Sequence, residues 1–202
     1  MLDIEKYPEE FKRFLKGEMN IVRDFIDRED HVIDIGCGTG RAIPIISPKV
    51  KEYVGIDIDK EYLPEAKNEA KKIPNSRVRE LSVYNLSREF KENEFDKSFC
   101  LFNTVPLFED IKKALREIYY VTRDKFYFSV CAKGSTKIRQ KYYDLMNIEV
   151  NFDKNETSHS KVWGKVFAYS EDEIHSLLNE VGFKIEKITI FEDYSFGIIA
   201  SK

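Results

Sequence analysis

The run Val32-Ile33-Asp34-Ile35-Gly36-Cys37-Gly38-Thr39-Gly40 constrains this chain more than any other stretch. It reads as a hydrophobic strand carrying one carboxylate, followed by three glycines at alternate positions. A backbone that turns sharply after a strand, with no side chains in the way, lets a ligand approach the main chain itself. The dinucleotide-binding fingerprint is G-x-G-x-x-G. Here the third glycine comes one residue early, and Arg41 stands where the later glycine would be.

The pattern around this run is that of alternating strands and helices. Apolar residues Phe11, Phe14, Leu15, Ile21, Val22, Phe25 and Ile26 recur at roughly helical spacing and predict one or two amphipathic helices over 8–28. His31 to Ile35 is the first strand, and a helix is expected from Thr39 to Ser47. Lys51 to Asp57 reads as the second strand, with Asp59 capping a helix to Ile73. Strands at 77–81, 95–101 and 125–131 follow, the last two separated by a helix over 107–121. The alternation points to βαβ units and a parallel sheet. Residues 133–163 are polar and weakly periodic, and read as an insertion holding one helix and a hairpin. Ser170, with Glu173 three residues on, has the spacing of a capping box for a helix that Gly182 stops. Strands at 183–190 and 194–200, joined by Glu192-Asp193, predict a terminal antiparallel hairpin.

At 202 residues the chain fits one domain, 1–202. The net charge of -3 gives no broad electrostatic reason to bind nucleic acid. Lys133, Lys137, Arg139 and Lys141 form a local basic cluster that reads as a solvated face. The first residues, Met1 to Lys6, lack a basic start followed by an apolar run, and no membrane span is expected. Cys37, Cys100 and Cys131 are too few and too scattered for a disulfide framework or a Cys-rich metal site. No metal is expected.

Two carboxylates carry the ligand chemistry. Asp34, at the end of the first strand, can accept from an ammonium group or tie down the glycine turn. Asp57, 17 residues after Gly40 and at the end of the second strand, offers two oxygens to the hydroxyls of a ribose.

With the acid two residues before G-x-G-x-G, residues 32–41 resemble motif I of the class I S-adenosylmethionine-dependent methyltransferases. Val54-Gly55-Ile56-Asp57-Ile58-Asp59 is similar to that family's second motif. Glu94-Phe95-Asp96, followed by Phe99 to Asn103, is similar to its fourth-strand region, and Phe167 to Ser170 with Gly182-Phe183 resembles its small-molecule branch. The resemblance implies a Rossmann-like three-layer α/β sandwich. Its seven-stranded, mostly parallel sheet has an antiparallel last strand and helices on both faces. It also implies S-adenosylmethionine as cofactor, a small-molecule acceptor and a cytoplasmic enzyme. The backbone of Gly36, Cys37, Gly38 and Gly40 would face the cofactor, and Asp57 would hold the ribose. Ile58 would flank the adenine, and the Phe102 backbone would lie near the methionyl ammonium. In many members an acid after the third strand contacts the adenine amino group; here Ser82 stands there, followed by Val83, and Asn85 is the alternative.

The sulfonium is already an activated methyl donor, so no universal catalytic residue is required. Candidates that would act on the acceptor are Asn103, after the fourth strand, and Tyr143 and His159 in the insertion. Thr104-Val105 replaces the paired prolines of enzymes that methylate exocyclic amines, which argues against that chemistry. Residues 1–30, with Tyr7, would form an N-terminal lid, and 133–168 would cover the acceptor site with Tyr142 and Trp163. Two other classes compete: a nicotinamide-dependent oxidoreductase, disfavoured by Arg41, and a non-catalytic S-adenosylmethionine-binding regulator. The acceptor atom, pathway and oligomeric state are not encoded in any motif.

Overall fold

The computed structural model describes residues 7–202, so the leader expectation for Met1 to Lys6 and the first part of the lid lie outside the described residues. Glu9–Phe25 form a single helix, α1, with Glu9 and Glu10 at its positive end. Its buried stripe holds Phe11, Phe14, Leu15, Met19, Val22 and Phe25, with one charged member, Glu18. Each large apolar side chain buried there contributes about 1.5–3 kcal/mol.

Five parallel strands follow: β1 (His31–Ile35), β2 (Glu52–Asp57), β3 (Ser76–Glu80), β4 (Phe95–Cys100) and β5 (Thr122–Ala132). Helices α2 (Ile43–Ile46), α3 (Leu63–Lys71), α4 (Leu86–Glu89) and α5 (Ile111–Val121) connect them. Beyond β5 come α6 (Thr136–Leu145), the short strands β6 (Val150–Phe152), β7 (Ser158–Ser160) and β8 (Gly164–Val166), and the two-residue β9 (Ala168–Tyr169). The chain continues through α7 (Glu171–Val181) into β10 (Lys184–Phe191) and β11 (Ser195–Ser201).

The strand order is β3-β2-β1-β4-β5-β11-β10, with β11 antiparallel to both neighbours. The order reverses between β1 and β4, and ligands bind at such a switch point in open α/β sheets. Alternate residues of β1 feed two cores. Ile33 and Ile35 pack with α5 and α7, whereas Val32 packs with α1 and α2. Helices therefore cover both faces, as expected.

The structure corrects several boundaries. The main sheet has eight strands, because β9 adds itself beside the end of β5. The insertion carries a three-stranded meander in place of a hairpin. The helix expected from Thr39 is one turn long and passes into a 3-10 turn at Ser47–Lys49. Pro44 and Pro48 explain this: each is tolerated only in a first turn, where its missing N–H costs nothing. Asp59 does not cap α3, whose N-cap is Tyr62; its carboxylate accepts the Glu61 N–H at 2.8 Å in the preceding turn. The helix expected from Leu107 starts at Ile111, because Asp110 is the stronger cap and accepts from Lys113 N. Ser170 and Glu173 form the anticipated capping box, and Gly182 closes α7 at φ +108°. Among the described residues, no helix is long and apolar enough to cross a membrane.

The Phe191 ring is wedged between two glycines. A Cβ on Gly17 would lie 2.6 Å from it, and one on Gly197 would lie 2.7 Å from it and 2.8 Å from the Tyr127 hydroxyl. Gly197→Ala should therefore destabilise the protein by about 1–3 kcal/mol, measured by urea unfolding. Gly17→Ala should also lose stability, although alanine is the better helix former by about 1 kcal/mol.

Candidate active site

The turn after β1 is shaped by three left-handed glycines, Gly36 (φ +76°), Gly38 (φ +54°) and Gly40 (φ +82°). The Gly36 and Cys37 N–H groups donate to the Ile56 carbonyl, at 2.8 and 3.0 Å, fastening the turn to β2. A side chain on Gly36 would strike the Thr104 methyl group, and one on Gly40 would strike Ile43 and Ala66. Gly38 faces open space instead. Gly55 in β2 makes room for Cys37, whose sulfur would be 3.0 Å from a Cβ there. Burial pushes the Cys37 thiol up, so it fills space and is no nucleophile.

Asp34 is buried in β1. Its Oδ2 accepts from the Tyr53 hydroxyl at 2.6 Å, and its Oδ1 has no hydrogen-bond partner. Burial pushes this carboxyl up to about 7, against the opposing pull of Tyr53. Asp57, at the end of β2, accepts Gly38 N at 2.7 Å and Asp59 N at 2.8 Å. It therefore ties the glycine turn to β2 while each oxygen keeps a second lone pair. Ile58 beside it is 66% exposed. Ser82 accepts from Tyr84 N at 3.3 Å, capping a 3-10 turn, and the Val83 side chain joins the core.

The turn after β4 forms the opposite wall. Phe102 and Asn103 both adopt left-handed backbone, φ +55° and +59°. Such strain costs about 1–3 kcal/mol per residue and gathers at functional sites. The Phe102 N–H donates to Glu18 Oε2 at 2.9 Å, and the Asn103 N–H to Ser129 Oγ at 2.8 Å. The Ser195 hydroxyl lies 2.8 Å from both Asn103 Oδ1 and the Val130 carbonyl; Asn103 Nδ2 makes no hydrogen bond. The Arg41 guanidinium stacks on the Phe102 ring, 4.4 Å from its centre, bridging the two turns.

Glu18 is a site residue that sequence reasoning misses. It is completely buried, and burial pushes its carboxyl up to about 7. Its one signal is a lone acid on the apolar stripe of α1, seven residues after Phe11 and seven before Phe25. Thr104, whose methyl group seats Gly36, is missed in the same way.

The insertion candidates fall into two groups. Tyr142 stacks on Phe11 (4.6 Å, 15°) and on Trp163 (5.7 Å, 8°), and Tyr7 lies 5.7 Å away, so α1 and the insertion are joined by aromatic packing. Tyr143 is buried, with its hydroxyl 2.7 Å from Ser158 Oγ, and burial raises it further from ionisation. His159, the next residue on β7, is exposed and lies 3.2 Å from Asp153. The basic cluster is dispersed. Arg139 is buried and donates to Glu156 and Val166 carbonyls and to Ser158, while Lys133 pairs with Glu173 and Lys141 with Glu10.

The two kinds of glycine should separate on mutation. Gly36→Ala, which meets both backbone strain and the Thr104 methyl, should cost about 2–5 kcal/mol, against about 1–2 kcal/mol for Gly38→Ala, by urea unfolding. The buried carboxyls set a pH dependence. A carboxyl whose folded pKa is raised holds its proton longer in the folded chain, so its stabilising contribution is complete below about 4.5 and is lost as pH rises towards 7. Unfolding free energy followed from pH 5 to 8 should decline, and Glu18→Gln should flatten that decline.

Comparison with known proteins agrees with this geometry. A family model described as a methyltransferase domain matches residues 32–125. An uncharacterized protein of Methanocaldococcus jannaschii is 33% identical over 129 residues, covering 61% of this chain and 45% of the relative. An uncharacterized methyltransferase of Bacillus subtilis is 33% identical over 97 residues, covering 47% of this chain and 37% of the relative. The chain thus spans less than half the length of these curated relatives. The crystal structure of 1,6-didemethyltoxoflavin-N1-methyltransferase from Burkholderia thailandensis, with 1,6-didemethyltoxoflavin and S-adenosylhomocysteine bound, superposes with a TM-score of 0.72. It covers 93% of this chain and 77% of that one at 16% identity, a likeness of fold. With its glycine turn at the β1/β4 switch point and its antiparallel last strand, the chain shares the fold of S-adenosylmethionine-dependent methyltransferases, and its residues 32–125 match the methyltransferase-domain family.

Proposed function

We propose that this chain binds S-adenosylmethionine across the carboxyl ends of β1, β2 and β4 and transfers its methyl group to a small-molecule acceptor. The observation that carries the reading is Asp34 Oδ1, a buried carboxylate oxygen left without a partner beside the glycine turn. An unsatisfied buried acceptor is costly, and an ammonium group is the ligand chemistry that satisfies it. The methyltransferase-domain match over residues 32–125 supports S-adenosylmethionine as the donor that carries one.

The remaining residues then take complementary parts. Gly38, with open space where a side chain would stand, lets the ligand reach the backbone. Asp57 has lone pairs left for the ribose hydroxyls, and exposed Ile58 offers an apolar face to the adenine. Ser82 and the Val83 backbone would close the adenine edge. The Phe102 backbone would lie near the methionyl ammonium. When bound, the sulfonium supplies an activated methyl group, so the protein contributes alignment and exclusion of water. Asn103, with an unpaired amide nitrogen, would orient the acceptor. We assign no base to Tyr143, which is engaged with Ser158, or to His159, which faces solvent beside Asp153.

A small acceptor is supported by two features. The aromatic seam of Tyr7, Phe11, Tyr142 and Trp163 closes over one side of the fold. The Burkholderia structure holds a small heterocyclic substrate on the same fold.

Asp57→Ala should weaken S-adenosylhomocysteine binding about tenfold or more by calorimetry, since charge-assisted hydrogen bonds are lost. Unchanged affinity would remove the reading. NAD and NADP should give no binding heat, and methyl transfer to at least one member of a small-molecule panel should separate an enzyme from a binder.

A further inference from the structure

We propose that Glu18 is a positioning residue of the methyl-transfer site: from α1, its carboxylate holds the left-handed Phe102–Asn103 turn in the shape that receives the methionyl end of the donor. The inference rests on the donor reading above.

Three observations carry it. First, the carboxylate holds the leading amide of a strained turn. Glu18 Oε2 takes the Phe102 N–H directly at 2.9 Å. The next amide, the Asn103 N–H, donates to the Ser129 hydroxyl at 2.8 Å. The Tyr127 hydroxyl donates to the other Glu18 oxygen at 3.4 Å. Second, the position is otherwise apolar. Met19, Val22 and Phe25 of the same helix enter the core beside it, and an apolar residue of similar size would be cheaper to bury. A carboxylate there must do something that an apolar residue cannot. Third, the turn it holds is coupled to the site. Thr104, the next residue, seats Gly36, and Phe102 carries Arg41 on its ring. Release of the Phe102 N–H would therefore move site walls while leaving the helical packing of α1 in place.

A plain structural pin and a positioning residue differ in how stability and ligand affinity divide. Glu18→Leu, Glu18→Gln and Ser129→Ala should be compared with wild type by thermal denaturation and by S-adenosylhomocysteine calorimetry on the full chain. Glu18→Leu ends the burial of a carboxyl but leaves the Phe102 N–H and the Tyr127 hydroxyl unpaired, so it should melt close to the wild-type temperature yet bind about tenfold more weakly or worse. Glu18→Gln, which keeps an acceptor oxygen for the Phe102 N–H, should bind within about threefold of wild type. Ser129→Ala, which releases only the Asn103 N–H of the same turn, should bind about threefold to tenfold more weakly. This variant decides the matter if Glu18→Leu does not fold. Wild-type affinity in Glu18→Leu, or in Ser129→Ala, overturns the proposal, as does a loss in Glu18→Gln as large as that in Glu18→Leu. Wild-type protein that fails to bind S-adenosylhomocysteine overturns the donor reading itself, and this inference with it.

Discussion

Gly36 lies against the Thr104 methyl group, so the turn after β1 and the turn after β4 pack closely, with no side chain from the glycine itself between them. This contact depends on the reversal of strand order, which makes β1 and β4 neighbours although the chain between them builds β2 and β3 first. Each wall is then secured separately. The first is pinned to β2 through the Ile56 carbonyl and the Asp57 carboxylate, and the second to α1 and β5 through Glu18 and Ser129. The crevice between the walls is therefore a product of backbone geometry, with few side chains needed to shape it.

The polar groups beneath that crevice are held against their own solvation preferences. Glu18 and Asp34 are both carboxyls raised chiefly by burial, and a neighbouring acid adds to each: Asp34 to Glu18, and Asp57 to Asp34. Arg41 is the cation that opposes this at Asp34. Burying two acids is expensive unless hydrogen bonds or a cation compensate. Glu18 is compensated by the protein itself, whereas Asp34 is left with one oxygen bare. The contrast gives the two acids different roles. Glu18 organises backbone, and Asp34 keeps one oxygen free of hydrogen bonds.

The insertion between β5 and β9 is organised by a buried arginine beside a small apolar cluster of Val166, Ala168 and Trp163. Arg139 holds Glu156, Ser158 and Val166 together, and Tyr143 completes the set through Ser158. It meets α1 through the stack of Tyr142 on Phe11, with Trp163 behind Tyr142, and through the Lys141–Glu10 ion pair. Phe167 N also donates to the Pro106 carbonyl, which fixes the insertion to the segment after β4. The alternation of residues along β7 decides which of them face inward. Ser158 is buried, and its neighbour His159 is turned outward.

Local sequence determined what depends on near neighbours. The glycine turn, the Asp57 strand end, the capping box at Ser170 and the terminal hairpin all follow from spacing, because their hydrogen bonds close within a few residues or along one ladder. Residues that act across the fold are not legible in this way. Glu18 reads as one more acid on a charged helix, until tertiary packing places it 2.9 Å from an amide 84 residues later. The strain at Phe102 and Asn103 has no signature, since neither residue is a glycine and the acceptors that hold them come from α1 and β5. Arg139 reads as surface charge, yet the three groups that bury it lie 17 to 27 residues downstream. Short-range geometry is written in residue order, and sequence alone determined the glycine turn and the strand ends around it. Burial and long-range hydrogen bonding arise only when distant segments meet, so the tertiary structure decided which side chains hold that frame in shape.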